Sequence, residues 1–97
     1  MKQLHTKEVD TLFGAMLSLE SVEECYKFFE DLCTVKEILD IAQRLKAADM
    51  LRSGSNYVEV SQATGMSTAT ISRVSKALDK GAGGYDLVLE RIKNEGK

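Results

Sequence analysis

Residues 57–78 read YVEVSQATGMSTATISRVSKAL. Two short amphipathic runs meet at Gly65, with Asn56 and Glu59 placed to cap the first and Ser67 or Thr68 the second. Two helices joined by three or four residues with a glycine at the bend form the minimal helix-turn-helix pattern. The glycine supplies a positive φ that other residues adopt at a cost of about 1 kcal/mol or more. Val60, Met66, Ile71 and Val74 fall on the sides that must face the rest of the chain, and Ser61 is small where the two helices approach. The outward positions of the second helix are Ser67, Thr68, Ala69, Ser72, Arg73 and Lys76, hydroxylated or small at its start and basic farther along. Short side chains let such a helix bring its N-terminal end into the major groove, where its dipole favours phosphate. Thr68, Thr70 and Ser72 can bond bases or phosphates, and Arg73 or Lys76 can read guanine. Asn56, Tyr57 and Gln62 are expected phosphate contacts from the first helix. The plainer alternative is an α-hairpin with a solvated, hydroxyl-rich face.

Upstream of this pair, apolar residues recur at helical spacing. Val9, Leu12, Phe13, Met16, Leu17 and Leu19 predict a helix over 7–19 with Thr6 as its cap, following a loose arm over 1–6 that holds the single histidine, His5. Ser21 and Glu24 form a capping-box pattern that opens a helix over 22–32. Its apolar face of Cys25, Tyr26, Phe28, Phe29, Leu32 and Cys33 is wider than a solvent-facing helix needs, so it is expected either at the centre of the protomer or in a subunit interface. Thr34 and Glu37 open a helix over 35–52 that stops at Ser53-Gly54. At about 1.5 Å per residue it is a scaffold about 27 Å long. The reading pair occupies 57–64 and 68–79. GAGG at 81–84 is a joint, and Tyr85, Val88, Leu89 and Ile92 mark a last helix over 85–94. No proline interrupts these runs and no alternating pattern suggests a strand, so the fold class is all-α, a single domain in 97 residues.

The formal net charge of −2 argues against a nucleic-acid binder, but its distribution does not. Residues 1–40 carry four lysines against nine acids, whereas residues 41–80 carry six Lys/Arg against three acids. Positive charge therefore gathers around the helix-turn-helix. Cys25 and Cys33 are eight residues apart, about 12 Å along a helix, too far for a disulfide within one helix. With no signal peptide or long apolar span, the chain is expected in the reducing cytoplasm and not in a membrane. Two thiols and one histidine are too few for a metal site, and no nucleophile–base arrangement or nucleotide loop is present, so no metal, no cofactor and no enzyme activity are expected.

The residues also carry a resemblance. The run over 32–79, and above all QRLKAADMLRSG followed by TGMSTATISRVSKAL, resembles the Trp repressor superfamily and, within it, the YerC/YecD-type branch. ECYKFFEDLCT extends the similarity toward the N-terminus. The resemblance implies a six-helix protomer in an intertwined homodimer, with the first three helices and the last forming a shared core and the fourth and fifth projecting as the DNA-reading head.

It also bears on tryptophan. In the Trp repressor proper, two arginines and a threonine hold the corepressor, and Arg44, Arg73 and Thr34 stand at the matching positions. The family's pocket has a glycine directly after the second arginine and a serine three residues later, where this chain has Val74 and Ala77. A β-branched side chain in the indole's space costs about 1 to 3 kcal/mol or more, and loss of the serine hydrogen bond costs about 1 kcal/mol. L-tryptophan is therefore expected to bind weakly or not at all, leaving Arg44 to pair with an acid of its own helix such as Asp40. The resulting expectation is a homodimeric transcriptional regulator, a repressor by resemblance, that binds double-stranded DNA at a pseudo-palindromic operator. The alternative is a protein-interaction adaptor of the same fold without DNA readout.

Overall fold

The computed structural model describes residues 2–95, the side chain of residue 2 excepted. It contains six α-helices: α1 Lys7–Leu17, α2 Val22–Leu32, α3 Val35–Arg52, α4 Tyr57–Thr64, α5 Thr68–Lys80 and α6 Gly84–Glu95. There is no strand among the described residues. The expected arm is not wholly loose, since Lys2–Leu4 forms a short 3-10 turn, while residue 1 lies outside the described residues. By contacts the chain divides into two compact units, one up to Ile38 and one from Leu39.

In the first unit the helix starts are set by side chains that satisfy unpaired backbone donors. The Thr6 hydroxyl accepts from the Val9 N–H at 3.2 Å, and Ser21 accepts from the Glu24 N–H at 3.1 Å. The Glu24 carboxylate does not close the capping box on Ser21 as expected; it accepts from the Glu20 N–H at 2.9 Å, one residue earlier. Thr34 and Glu37 do close theirs, at 2.8 and 3.2 Å. α1 ends at Leu17, short of the apolar run, because Ser18 turns its hydroxyl back onto the Ala15 carbonyl at 2.6 Å. Phe28 and Phe29 meet edge-to-face, their ring centroids 5.4 Å apart. Neither α1 nor α2 buries a residue. Val22, Cys25, Tyr26, Phe29 and Ile38 line an open groove of about 260 Å³.

The second unit holds the hydrophobic core. Ala47 and Ala48 of α3, Val60 of α4, Ile71 and Val74 of α5 and Leu89 of α6 are buried together, with Leu45, Met50, Leu51, Met66, Leu78 and Tyr85 packed around them. The two alanines are the smallest members of this cluster, which lets the shorter helices approach the long one closely. α5 packs against both α4 and α6. α6 docks through Leu89 and still leaves Leu87, Val88 and Ile92 exposed. Gly84, read as part of the joint, is instead the first residue of α6, and α5 runs one residue longer than expected, to Lys80.

Candidate nucleic-acid interface

The bend between α4 and α5 is built from its own side chains. Gly65 has φ 74°, in the left-handed region, and its N–H donates to the Ser61 carbonyl at 2.8 Å. No neighbour lies within 4 Å of a Cβ placed on Gly65, so the glycine answers to its backbone conformation rather than to a close contact. Ser61 does more than stay small: its hydroxyl donates to the Met66 carbonyl at 3.0 Å across the bend. The Thr64 hydroxyl donates to the Val60 carbonyl at 2.7 Å and accepts from the Met66 N–H at 3.2 Å. Met66 is thus tied at both its backbone N–H and its carbonyl. Sequence pattern holds no signal for these two ties, because a serine or threonine in a short helix reads only as polar surface.

α5 starts at a capped end. The Ser67 hydroxyl accepts from the Thr70 N–H at 3.3 Å and exchanges a hydrogen bond with the Thr70 hydroxyl at 3.1 Å. Thr68, Ala69, Arg73 and Lys76 are exposed, Thr70 and Ser72 are half-buried, and Ile71 and Val74 are buried. The hydroxyls expected to face outward therefore differ in availability: those of Ser67 and Thr70 are engaged with each other, and that of Thr68 stands in the open. Arg73 and Lys76 make no ion pair among the described residues. No acid occupies the first turn of α5, so nothing there offsets the positive end of its dipole.

α4 presents a different end. The Asn56 side chain accepts from the Glu59 N–H at 2.9 Å, and the Glu59 carboxylate accepts from the Asn56 N–H at 2.8 Å. That carboxylate neutralises the start of α4, which makes it a poorer seat for phosphate than the start of α5. Asn56, Tyr57 and Gln62 are all exposed.

Four of the residues compared with a tryptophan pocket, Arg44, Arg73, Val74 and Ala77, lie in the second unit, and Thr34 lies in the first. Thr34 caps α3, its hydroxyl accepting from the Glu37 N–H. Arg44 is exposed and does not form the expected pair with Asp40; among the described residues it makes no ion pair. Val74, 4% exposed, packs in the core with Ala47 and Ala48 of α3, and Ala77 is half-buried. A branched side chain thus occupies the interior between α3 and α5.

Among the described residues no group of three His, Cys, Asp or Glu side chains is placed to hold a metal, and no helix is long and apolar enough to cross a membrane. The Glu37 carboxyl is held below the usual carboxylate range, first by the Thr34 backbone N–H and then by the Thr34 side chain.

Comparison with known proteins agrees with this fold. The profile of the Trp repressor protein family matches residues 7–93. YerC of Bacillus subtilis, itself uncharacterized, is 52% identical over 91 residues, covering 94% of this chain and 88% of YerC. A TrpR-like protein from Eubacterium eligens superposes with a TM-score of 0.93 at 48% identity over 96% of both chains. A candidate Trp repressor from Staphylococcus aureus gives 0.91 at 47% identity over 95% of this chain and 92% of its own. The six helices, the glycine bend and the match along nearly the whole chain lead to one conclusion: the chain belongs to the Trp repressor family, a family of regulators rather than enzymes.

Proposed function

We propose that this protein is a sequence-specific DNA-binding transcriptional regulator, a repressor by family, that acts in the cytoplasm as a homodimer on a pseudo-palindromic operator. The observation that carries the reading is the outer face of α5: a capped, acid-free start with Thr68 and Ala69 exposed, followed by Arg73 and Lys76 with no acidic partner among the described residues. Ile71 and Val74 anchor the opposite face of the same helix in the core, so the outer face is held rather than adaptable. Unpaired cations on a rigid helix beside a positive helix end suit a phosphate-lined groove. Exposed apolar residues on α1, α2 and α3, among them Phe13, Tyr26 and Leu39, support the dimer, in which a partner protomer would cover them.

Tryptophan does not fit as the corepressor, because Val74 fills the interior beside α3 and Ala77 offers no hydroxyl. Binding of duplex DNA should fall steeply with salt. Arg73→Ala and Lys76→Ala should each weaken it, by about tenfold, with the salt slope reduced by about one counterion for a lost phosphate contact. Unaltered duplex binding by both variants contradicts the assignment of α5. Absence of salt-sensitive binding by the unaltered protein would favour an adaptor role for the same fold.

A further inference from the structure

α3 ends on Arg52, and its guanidinium reaches across to α6. Nε lies 3.0 Å from Asp86 Oδ1, and Nη2 lies 3.4 Å from Glu90 Oε1. Asp86 and Glu90 are four residues apart on one helix face, so one planar fork can hold both. The Arg52 side chain is 28% exposed and each acid 55%. The chain leaves the scaffold helix at Arg52 and returns beside it at Asp86, and between them lie α4, the bend, α5 and the joint. Both passages bend at glycines with positive φ, Gly54 at 99° and Gly83 at 85°. Gly81 is needed for a further reason, since a Cβ there would collide with the Ala77 carbonyl. The reading pair is therefore suspended between two glycine joints, and the Arg52 fork ties their far ends together.

We propose that Arg52 is a positioning residue for DNA reading: by clasping Asp86 and Glu90 it fixes α6 against the end of α3 and so sets the angle at which α5 is presented. This rests on the DNA-reading proposal above. The clasp makes a prediction opposite in sign to that of simple electrostatics. Asp86 and Glu90 are negative charges, and if they acted only through their field, neutralising them would strengthen DNA binding. As halves of a clasp, their loss weakens it, just as loss of Arg52 does.

The test uses the full chain and duplexes selected from a random library by the unaltered protein. Arg52→Gln, Asp86→Asn/Glu90→Gln and the triple variant are compared for duplex affinity over a range of salt, for helix content and for amide exchange. Partly solvated pairs are modest, so each change should weaken binding by about three- to tenfold. The triple variant should lose no more than either parent, because the groups act as one unit. The salt slope should be unchanged, since no phosphate contact is removed. The Ser55 amide, bonded to the Met50 carbonyl, and the Leu87 amide, bonded to the Gly83 carbonyl, should exchange faster in every variant. Equal or tighter binding by Asp86→Asn/Glu90→Gln, or losses that multiply in the triple variant, overturns the clasp. If the unaltered protein shows no salt-sensitive duplex binding, the DNA-reading proposal is what fails. The exchange rates then decide the clasp alone, with faster exchange at Ser55 and Leu87 supporting it and unchanged rates overturning it.

Discussion

Ser67 uses its side chain on its own helix, and this changes how the start of α5 should be read. Its hydroxyl accepts the Thr70 N–H and is paired with the Thr70 hydroxyl, so the two form a cap, and we propose that this is their main role. Ser67→Ala should destabilise the protein by about 1 kcal/mol, measured by denaturant unfolding. Ser67→Asn, which keeps a capping oxygen, should restore most of that, and both variants should select the same DNA sequences as the unaltered protein. A changed base preference in Ser67→Asn would make Ser67 a reader after all. Composition alone marks all these hydroxyls as polar and outward; which of them remain available depends on who bonds to whom. Ser61 and Arg52 teach the same lesson. One crosses the glycine bend to Met66 and the other reaches 34 and 38 residues along the chain, and no periodicity records either contact.

At the scale of elements, most of the helices were legible because the chain has no proline and its starts carry strong capping patterns. α2, α3 and α4 begin where Ser21, Thr34 and Asn56 say they should. The ends were harder. Leu19 continues the apolar pattern of α1, yet an apolar side chain does not oblige its backbone to stay helical, and Ser18 closes the turn first. The start of α3 also carries a pH dependence. Glu37 has its carboxyl held below the usual range by Thr34, so its folded value lies beneath its unfolded one. Its contribution is present above the unfolded value and lost as pH falls through the folded one. Residues at the start of α3 should therefore loosen below about pH 4, seen as amide shift changes in an acid titration. Glu37→Gln should remove that part of the acid response.

At the scale of the whole molecule, the distribution of burial is the notable feature. Among the described residues, the six that are buried all lie from Leu39 onward, while Val22 is 71% and Tyr26 64% exposed in the first unit. The width of α2's apolar face raised the choice between a central helix and an interface, and the burial pattern supports the interface. Leu39, 57% exposed, discriminates well. In a monomer, Leu39→Asp would place a charge in water and cost little; across a dimer interface it would bury an unpaired charge and should split the dimer. Sedimentation analysis should show a dimer for the unaltered protein and a monomer for the variant, with DNA affinity reduced by about a hundredfold or more as the two linked half-site contacts are separated.

The proposed regulator holds two copies of α5 in one symmetric dimer, and the DNA itself reports on them most directly. Selection of bound duplexes from a random library, with and without added L-tryptophan, should return an inverted repeat. Its half-site centres should lie about 10 bp, one helical turn, apart. The same repeat should emerge in both arms if, as proposed, Val74, buried in the core, leaves no space for a corepressor. An unsymmetric single site, no enrichment at all, or a repeat that emerges only with tryptophan would contradict it.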